Sequence, residues 1–198
     1  MKIKFDHFSF LAPLYEHFIL PRNPKEIIAF SNLTGTETVL DAGGGTGRVA
    51  QFMTDKVKKI LVADQSYKML QEAQAKVELW EVCSETEDIP LANNTFDRII
   101  MVDALHHVEN KGKTTLELWR VLKPGGRIII EEPNIRAFGV KLIAIAEKLF
   151  LMRSHFSSPQ QIAEMFQFPN AKVKVEVEGS TSWIIVKKET NKIENKVN

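Results

Sequence analysis

Residues 39–48, Val39-Leu40-Asp41-Ala42-Gly43-Gly44-Gly45-Thr46-Gly47-Arg48, bring together a carboxylate and a turn of closely spaced glycines. An apolar strand runs into Asp41, then into glycines at 43, 45 and 47, then into a helical pattern that takes in residues 49–53. Glycine at a strand-to-helix turn admits backbone angles closed to other residues and lets the main chain approach a ligand. A helix that follows offers unpaired N–H groups to an electron-rich group. The spacing separates cofactor types. A dinucleotide fingerprint requires G-x-G-x-x-G, and counted from Gly43 its last position falls on Arg48. The spacing D-x-G-x-G-x-G, from Asp41 to Gly47, is intact. The alternative is a tight loop that holds no ligand.

Asp64 closes a second apolar run, Ile60-Leu61-Val62-Ala63. A carboxylate there can accept hydrogen bonds from both hydroxyls of a ribose, each contributing roughly 1.5–3 kcal/mol. A dinucleotide binder needs an acid at the same place, and a carboxylate that merely favours a helix N-terminus is the structural alternative. His106-His107 offers imidazoles suited to proton transfer near neutral pH, or a wall to a cofactor pocket. Tyr15, in an aromatic-rich N-terminal stretch, is a candidate substrate contact, so His106 and Tyr15 are the two catalytic candidates. With one cysteine, Cys83, the chain can form no internal disulfide and has no cysteine cluster for a metal. A net charge of +1 lacks the basic stripe of a nucleic-acid binder. The most apolar helix candidate, residues 140–151, is too short and carries too many charges (Lys141, Glu147, Lys148) to span a bilayer. The N-terminus has no signal-peptide pattern, and the expectation is a cytoplasmic protein.

The elements that must position these residues alternate. Strand patterns at 39–40, 60–63, 77–82, 96–102 and 127–130 are separated by helical ones, including a helix to residue 75 capped by Ser66 and another ended by Lys123-Pro124-Gly125-Gly126. Continuous apolar runs suit parallel strands buried on both faces, and their alternation with helices predicts a doubly wound α/β sheet. Helices follow at 138–151 and 159–166. Two strands at 173–177 and 182–187, joined by the turn Gly179-Ser180, add an antiparallel hairpin at one edge and bring the sheet to seven strands. A single domain over residues 1–198 is expected, with an N-terminal helical segment (1–36), a helical insertion (135–168) and a polar tail (189–198). The first segment is either a lid over the site or a helix packed on the sheet edge. Phe138, Leu142, Phe150, Met152 and Phe156 are core, or the walls of an apolar cavity.

Four further motifs stand in register: Asp88-Ile89-Pro90-Leu91, Thr95-Phe96-Asp97, Ala104-Leu105-His106-His107 and Leu122-Lys123-Pro124-Gly125-Gly126. With the glycine turn they resemble the class I S-adenosylmethionine (SAM)-dependent methyltransferases, specifically the small-molecule enzymes of the ubiquinone/menaquinone-biosynthesis type. The resemblance covers about residues 37–133 and extends to Phe5-Asp6 and Ala12-Pro13-Leu14-Tyr15-Glu16. It implies a Rossmann-like fold with SAM as cofactor. Gly43, Gly45 and Gly47 would line its methionine part, with Asp41 ordering the turn. Asp64 would take the ribose, and Gln65 would lie beside the adenine. Glu85 and the backbone of Thr86 would meet the adenine edge, although Cys83-Ser84-Glu85 replaces the family's usual Gly-Asp there. Asp103 and Ala104 would lie near the methionine amino group.

Three functions compete on this evidence. The first is methyl transfer from SAM to a small-molecule acceptor by in-line displacement, which needs positioning and a dry pocket but no metal. The second is an NAD-type oxidoreductase, against which the missing third glycine counts. The third is a non-catalytic SAM-binding or partner-binding module of the same fold. The acceptor, the atom methylated and the oligomeric state are not encoded in any motif of the chain.

Overall fold

A computed structural model describes residues 24–76, 78–135 and 155–190. Seven strands form one mixed sheet: β1 (Thr38–Ala42), β2 (Lys59–Asp64), β3 (Leu79–Cys83), β4 (Phe96–Val102), β5 (Leu122–Pro133), β6 (Ala171–Glu178) and β7 (Thr181–Lys188), in the order β3-β2-β1-β4-β5-β7-β6. The first five are parallel, and β7 runs antiparallel to both β5 and β6. This is the doubly wound sheet with an edge hairpin that the alternation of patterns predicts. Strand order reverses between β1 and β4, the switch point outside whose carboxyl ends such sheets bind ligands.

The central strands are apolar on both faces because both faces are covered. Leu40, Ile99, Met101, Ile128, Ile130, Ile184 and Val186 point into one buried cluster with Leu118, Phe96 and Phe166. Their neighbours Val39, Ile100 and Ile129 point into the other, with Ile60, Val62, Ile27, Met53, Leu70 and Trp183. Strict alternation of side-chain direction thus divides each strand between two cores.

Four helices are described: α1 (Lys25–Ser31), α2 (Tyr67–Gln74), α3 (Lys111–Val121) and α4 (Pro159–Glu164). The described part of the N-terminal segment, α1, packs through Ile27 onto the face formed by Val39, Ile100 and Ile129 rather than against an edge. Its carbonyl end is held by guanidiniums: Arg98 donates to Ser31 O at 2.5 Å and Asn32 O at 3.1 Å, and Arg127 to Phe30 O at 3.3 Å. Cationic donors suit a helix C-terminus, where carbonyls lack partners. Ser158 caps α4 in a full capping box with Gln161, with Pro159 at the first helical position.

Three local expectations are corrected. The helical pattern at 49–53 forms a short 3₁₀ turn, Ala50–Phe52, followed by another at Thr54–Lys56: after one four-residue bond from Gln51 N–H to Gly47 O at 3.1 Å, the Phe52 and Met53 N–H groups bond three residues back, to Val49 O and Ala50 O. Ser66 precedes α2 but its hydroxyl makes no capping bond; its N–H is instead held by Asp64 Oδ1 at 2.8 Å. The helix before Lys123 ends at Val121, and β5 begins at once with Leu122, opposite Phe96 of β4. Tyr15 and the rest of residues 1–23, Phe138, Leu142, Phe150 and Met152 of the insertion, and tail residues 191–198 lie outside the described residues.

Candidate cofactor-binding site

The glycine turn leaves β1 and folds back over the end of β2. Gly43 and Gly44 donate to Ala63 O at 2.7 and 3.3 Å, and Gly45 N–H donates to Asp64 Oδ2 at 2.9 Å. Gly43, Gly45 and Gly47 all have positive φ (+70°, +55° and +71°), so the three glycines singled out by spacing are the three that need glycine's freedom. They differ in surroundings. A Cβ on Gly43 would stand 2.8 Å from Ala104 Cβ, and one on Gly47 2.6 Å from Leu79 Cδ1, whereas one on Gly45 would meet only Asp64 Oδ2, at 3.9 Å. The open space of the turn is therefore over Gly45, beside the Asp64 carboxylate.

The neighbouring strand ends close on the same point. Ser84 N–H, leaving β3, donates to Asp64 O at 3.0 Å, and Cys83 Sγ lies 3.6 Å from Gln65 O. At the end of β4, Asp103 adopts φ +51°, donates its N–H to Glu131 O at 2.9 Å, and carries a carboxylate 3.5 Å from Arg48 Nη2. Gly43 meets Ala104, Gly45 meets Asp64 and Arg48 meets Asp103 around the switch-point crevice, where sheets of this kind bind ligands. Gln65 and Glu85 sit exposed on its β2 and β3 rims. The Thr86 side chain turns away and bonds Thr114 Oγ1 at 3.1 Å beneath the loop, so only its backbone could face a ligand.

Asp41 lies under the turn rather than in the crevice. It is 1% exposed, and a Cβ on Gly44 would fall 2.5 Å from its Cγ. Burial pushes its carboxyl up to about 7, against the pull of Arg48 and the Ala50 backbone, and the nearby Asp64 raises it further. Among the described residues Oδ2 has no hydrogen-bond partner.

The two histidines are not equivalent. His106 is buried, its Nδ1 2.7 Å from Glu132 Oε2, while Glu132 Oε1 accepts the Leu105 N–H at 2.8 Å. The His106 ring stacks on Phe156 (centroids 4.5 Å, 12°). Burial, with His106 alongside, drives His107 down to about 3, so it is neutral throughout the neutral range and a poor proton acceptor. Arg48 and Glu132 are the residues that sequence reasoning passed over. Arg48 stood out only as the break in a dinucleotide fingerprint. The adjacent Glu131-Glu132 ending an isoleucine run was the available sign of carboxylates at a strand's C-terminal end.

The crevice fits an adenosine joined to an amino acid. It offers open space over a positive-φ turn and a carboxylate at ribose position. It also offers one cation and one anion side by side, and two buried hydroxyls on its loops without partners, Thr46 Oγ1 and Ser84 Oγ. Among the described residues no group of His, Cys, Asp and Glu could hold a metal ion, and no helix is long and apolar enough to cross a membrane.

Comparison with known proteins agrees with this geometry. Residues 40–130 match the methyltransferase-domain family model. The chain is 35% identical over 106 residues to the ubiquinone/menaquinone biosynthesis C-methyltransferase UbiE of Klebsiella pneumoniae; the match covers 48% of this chain and 42% of that one, so it spans less than half of the relative's length. In structure it is similar to a SAM-dependent methyltransferase of Thermotoga maritima (TM-score 0.76, 21% identity, 92% of this chain and 98% of that one). It is also similar to the [4+2]-cyclase SpnF (TM-score 0.71, 16% identity, 86% and 81%), so one fold serves more than one chemistry.

Proposed function

We propose that this chain, whose residues 40–130 match the methyltransferase-domain family model, is a class I SAM-dependent methyltransferase that moves a methyl group from SAM to a small-molecule acceptor in the cytoplasm by in-line displacement. The observation that carries the proposal is the pairing of the Gly45 N–H with the Asp64 carboxylate beneath open space at the switch point of the sheet.

SAM, the methyl donor of this family, supplies when bound a sulfonium methyl already activated for attack. What the chain has to do is bind, orient and exclude water. Asp64 Oδ2 accepts the Gly45 N–H and Oδ1 the Ser66 N–H, so the backbone fixes the carboxylate in the place assigned to the ribose hydroxyls. The glycine turn lets the main chain lie against the amino-acid tail. Arg48 and Asp103 present opposite charges suited to that tail's carboxylate and ammonium groups. Positioning of this kind can lower a barrier by about 7–11 kcal/mol in favourable cases without a protein nucleophile. His106, locked on Glu132, orders the turn after β4 and forms a wall; His107 stays neutral. The similarity to UbiE over 48% of the chain supports an acceptor of small-molecule type.

Isothermal titration with SAM, its demethylated product and NAD tests the binding half of the proposal. The first two bind in the micromolar range and NAD does not, and Asp64→Ala weakens SAM by roughly tenfold or more, the loss of hydrogen bonds to a charged group. Unchanged affinity in Asp64→Ala overturns the ribose assignment. Transfer of isotopically labelled methyl from SAM to a panel of small acceptors tests catalysis, and binding without any transfer overturns it.

A further inference from the structure

The geometry points to self-association of this chain through strand β6, with a second copy adding its own β6 antiparallel across a two-fold axis at Val175. Among the described residues β6 is an edge strand, bonded to β7 alone. It runs eight residues in unbroken register, with no proline, glycine or bulge. Proline and bulges blunt an edge against pairing; edge lysines do so too, and Lys172 and Lys174 oppose any partner strand that does not meet them with carboxylates. The edge at the other side of the sheet, β3, is five residues long.

The side chains of β6 sort by face. Lys172, Lys174, Glu176 and Glu178 lie opposite Lys187, Ile185, Trp183 and Thr181 of β7, on one face; Val173, Val175 and Val177 lie opposite Val186, Ile184 and Ser182, on the other. Val173 and Val177 are 37% and 50% exposed, two of only six large hydrophobic residues left exposed among the described residues. The two-residue turn Gly179-Ser180, with Gly179 at φ +54°, closes the hairpin on the pair Glu178 and Thr181. A two-residue turn closes on a hydrogen-bonded pair, so the even-numbered residues spend their backbone groups on β7 and the valines turn theirs outward.

Charge order supplies the specificity. The strand reads Lys, Lys, Glu, Glu on its charged face, a pattern complementary to its own reverse. With the axis at Val175, Lys172 faces Glu178 of the second copy, Lys174 faces Glu176, Val173 faces Val177, and Val175 faces itself. Sliding the pairing by two residues in either direction sets Lys174 against Lys174 or Glu176 against Glu176. Like charges directly opposite are unfavourable, so one register is selected. In the single chain these charges are exposed and partly satisfied at home: Lys174 pairs with Glu176 at 2.6 Å and Lys172 with Glu189 at 2.8 Å. The cofactor crevice lies at the ends of β1, β2 and β4; of the pairing residues, Glu178, at the turn end of β6, lines a cavity with Arg48, Val102 and Glu131.

Sedimentation equilibrium on the full chain tests the proposal. The wild type shows a reversible monomer–dimer equilibrium that weakens with salt. Lys172→Glu with Lys174→Glu makes the strand uniformly acidic and raises the dissociation constant at least about tenfold. Adding Glu176→Lys and Glu178→Lys restores self-complementarity in reverse and restores the dimer. Thermal melting of each variant, at exposed positions, reports that the monomer fold is kept. A wild type that is monomeric at every concentration, a dimer indifferent to the two lysine reversals, or a folded four-residue swap that stays monomeric overturns the proposal.

Discussion

Gly43 and Gly45 share a left-handed backbone but not a neighbourhood, and the difference separates folding from binding. Alanine at φ +55° costs roughly 1–2 kcal/mol by backbone sterics alone, and at position 45 it meets no close atom of the protein. Gly45→Ala should therefore lose about 1–2 kcal/mol in urea denaturation yet weaken SAM at least tenfold, because the methyl occupies the ligand's space. Gly43→Ala adds a 2.8 Å clash with Ala104 Cβ and should lose about 3 kcal/mol or more. The roles of Gly43, Gly45 and Gly47 were legible in the chain because a fixed spacing is a local property. Arg48 facing Asp103 was not, because that contact joins the ends of two strands 55 residues apart in number (103 − 48). Asp41 makes a separate prediction. Its folded pKa of about 7 lies above the ordinary 3.8, so the stability that protonation confers is fully present below about pH 4 and is lost as pH rises through 7. Asp41→Asn, which mimics the neutral acid, should melt near the wild type at pH 4 and above it at pH 8.

At the scale of elements, the turn after β4 is held by one side chain. Glu132 accepts from Leu105 N–H and meets His106 Nδ1, both buried. Glu132→Ala leaves two buried polar groups without that partner and should lose about 3 kcal/mol or more in chemical denaturation. His107, held near 3, should contribute no inflection to the pH–rate profile between pH 5 and 8. The strands themselves were readable from their isoleucine and valine runs, since burial on both faces leaves no room for polar alternation. Elements at glycines were not. The helix expected at 49–53 tightens into 3₁₀ turns, its Phe52 and Met53 N–H groups bonding three residues back after a single four-residue bond from Gln51 to Gly47. α3 ends at Val121, before the Lys-Pro-Gly-Gly stop, which falls within β5, whose pairing with β4 resumes regularly at Arg127 opposite Arg98.

For the whole molecule, order in the sheet matters more than any single motif. β1 between β2 and β4 sets the glycine turn beside Asp64 on one flank and Asp103–Ala104 on the other. Alternating helix and strand patterns imply that order because right-handed parallel connections leave few alternatives. Which residues converge over the crevice from separate strand ends is a property of the folded sheet. Charge self-complementarity on β6 acquires meaning only once that strand is known to be an edge. The central claim is that the crevice holds an amino-acid tail over residues 43–47 while Asp64 binds a ribose. A crystal structure with the demethylated cofactor tests it most directly. The account predicts both ribose hydroxyls on the Asp64 carboxylate and the tail between the glycine turn and Asp103; a crevice left empty at saturating ligand, or a ligand lying the other way round, contradicts it.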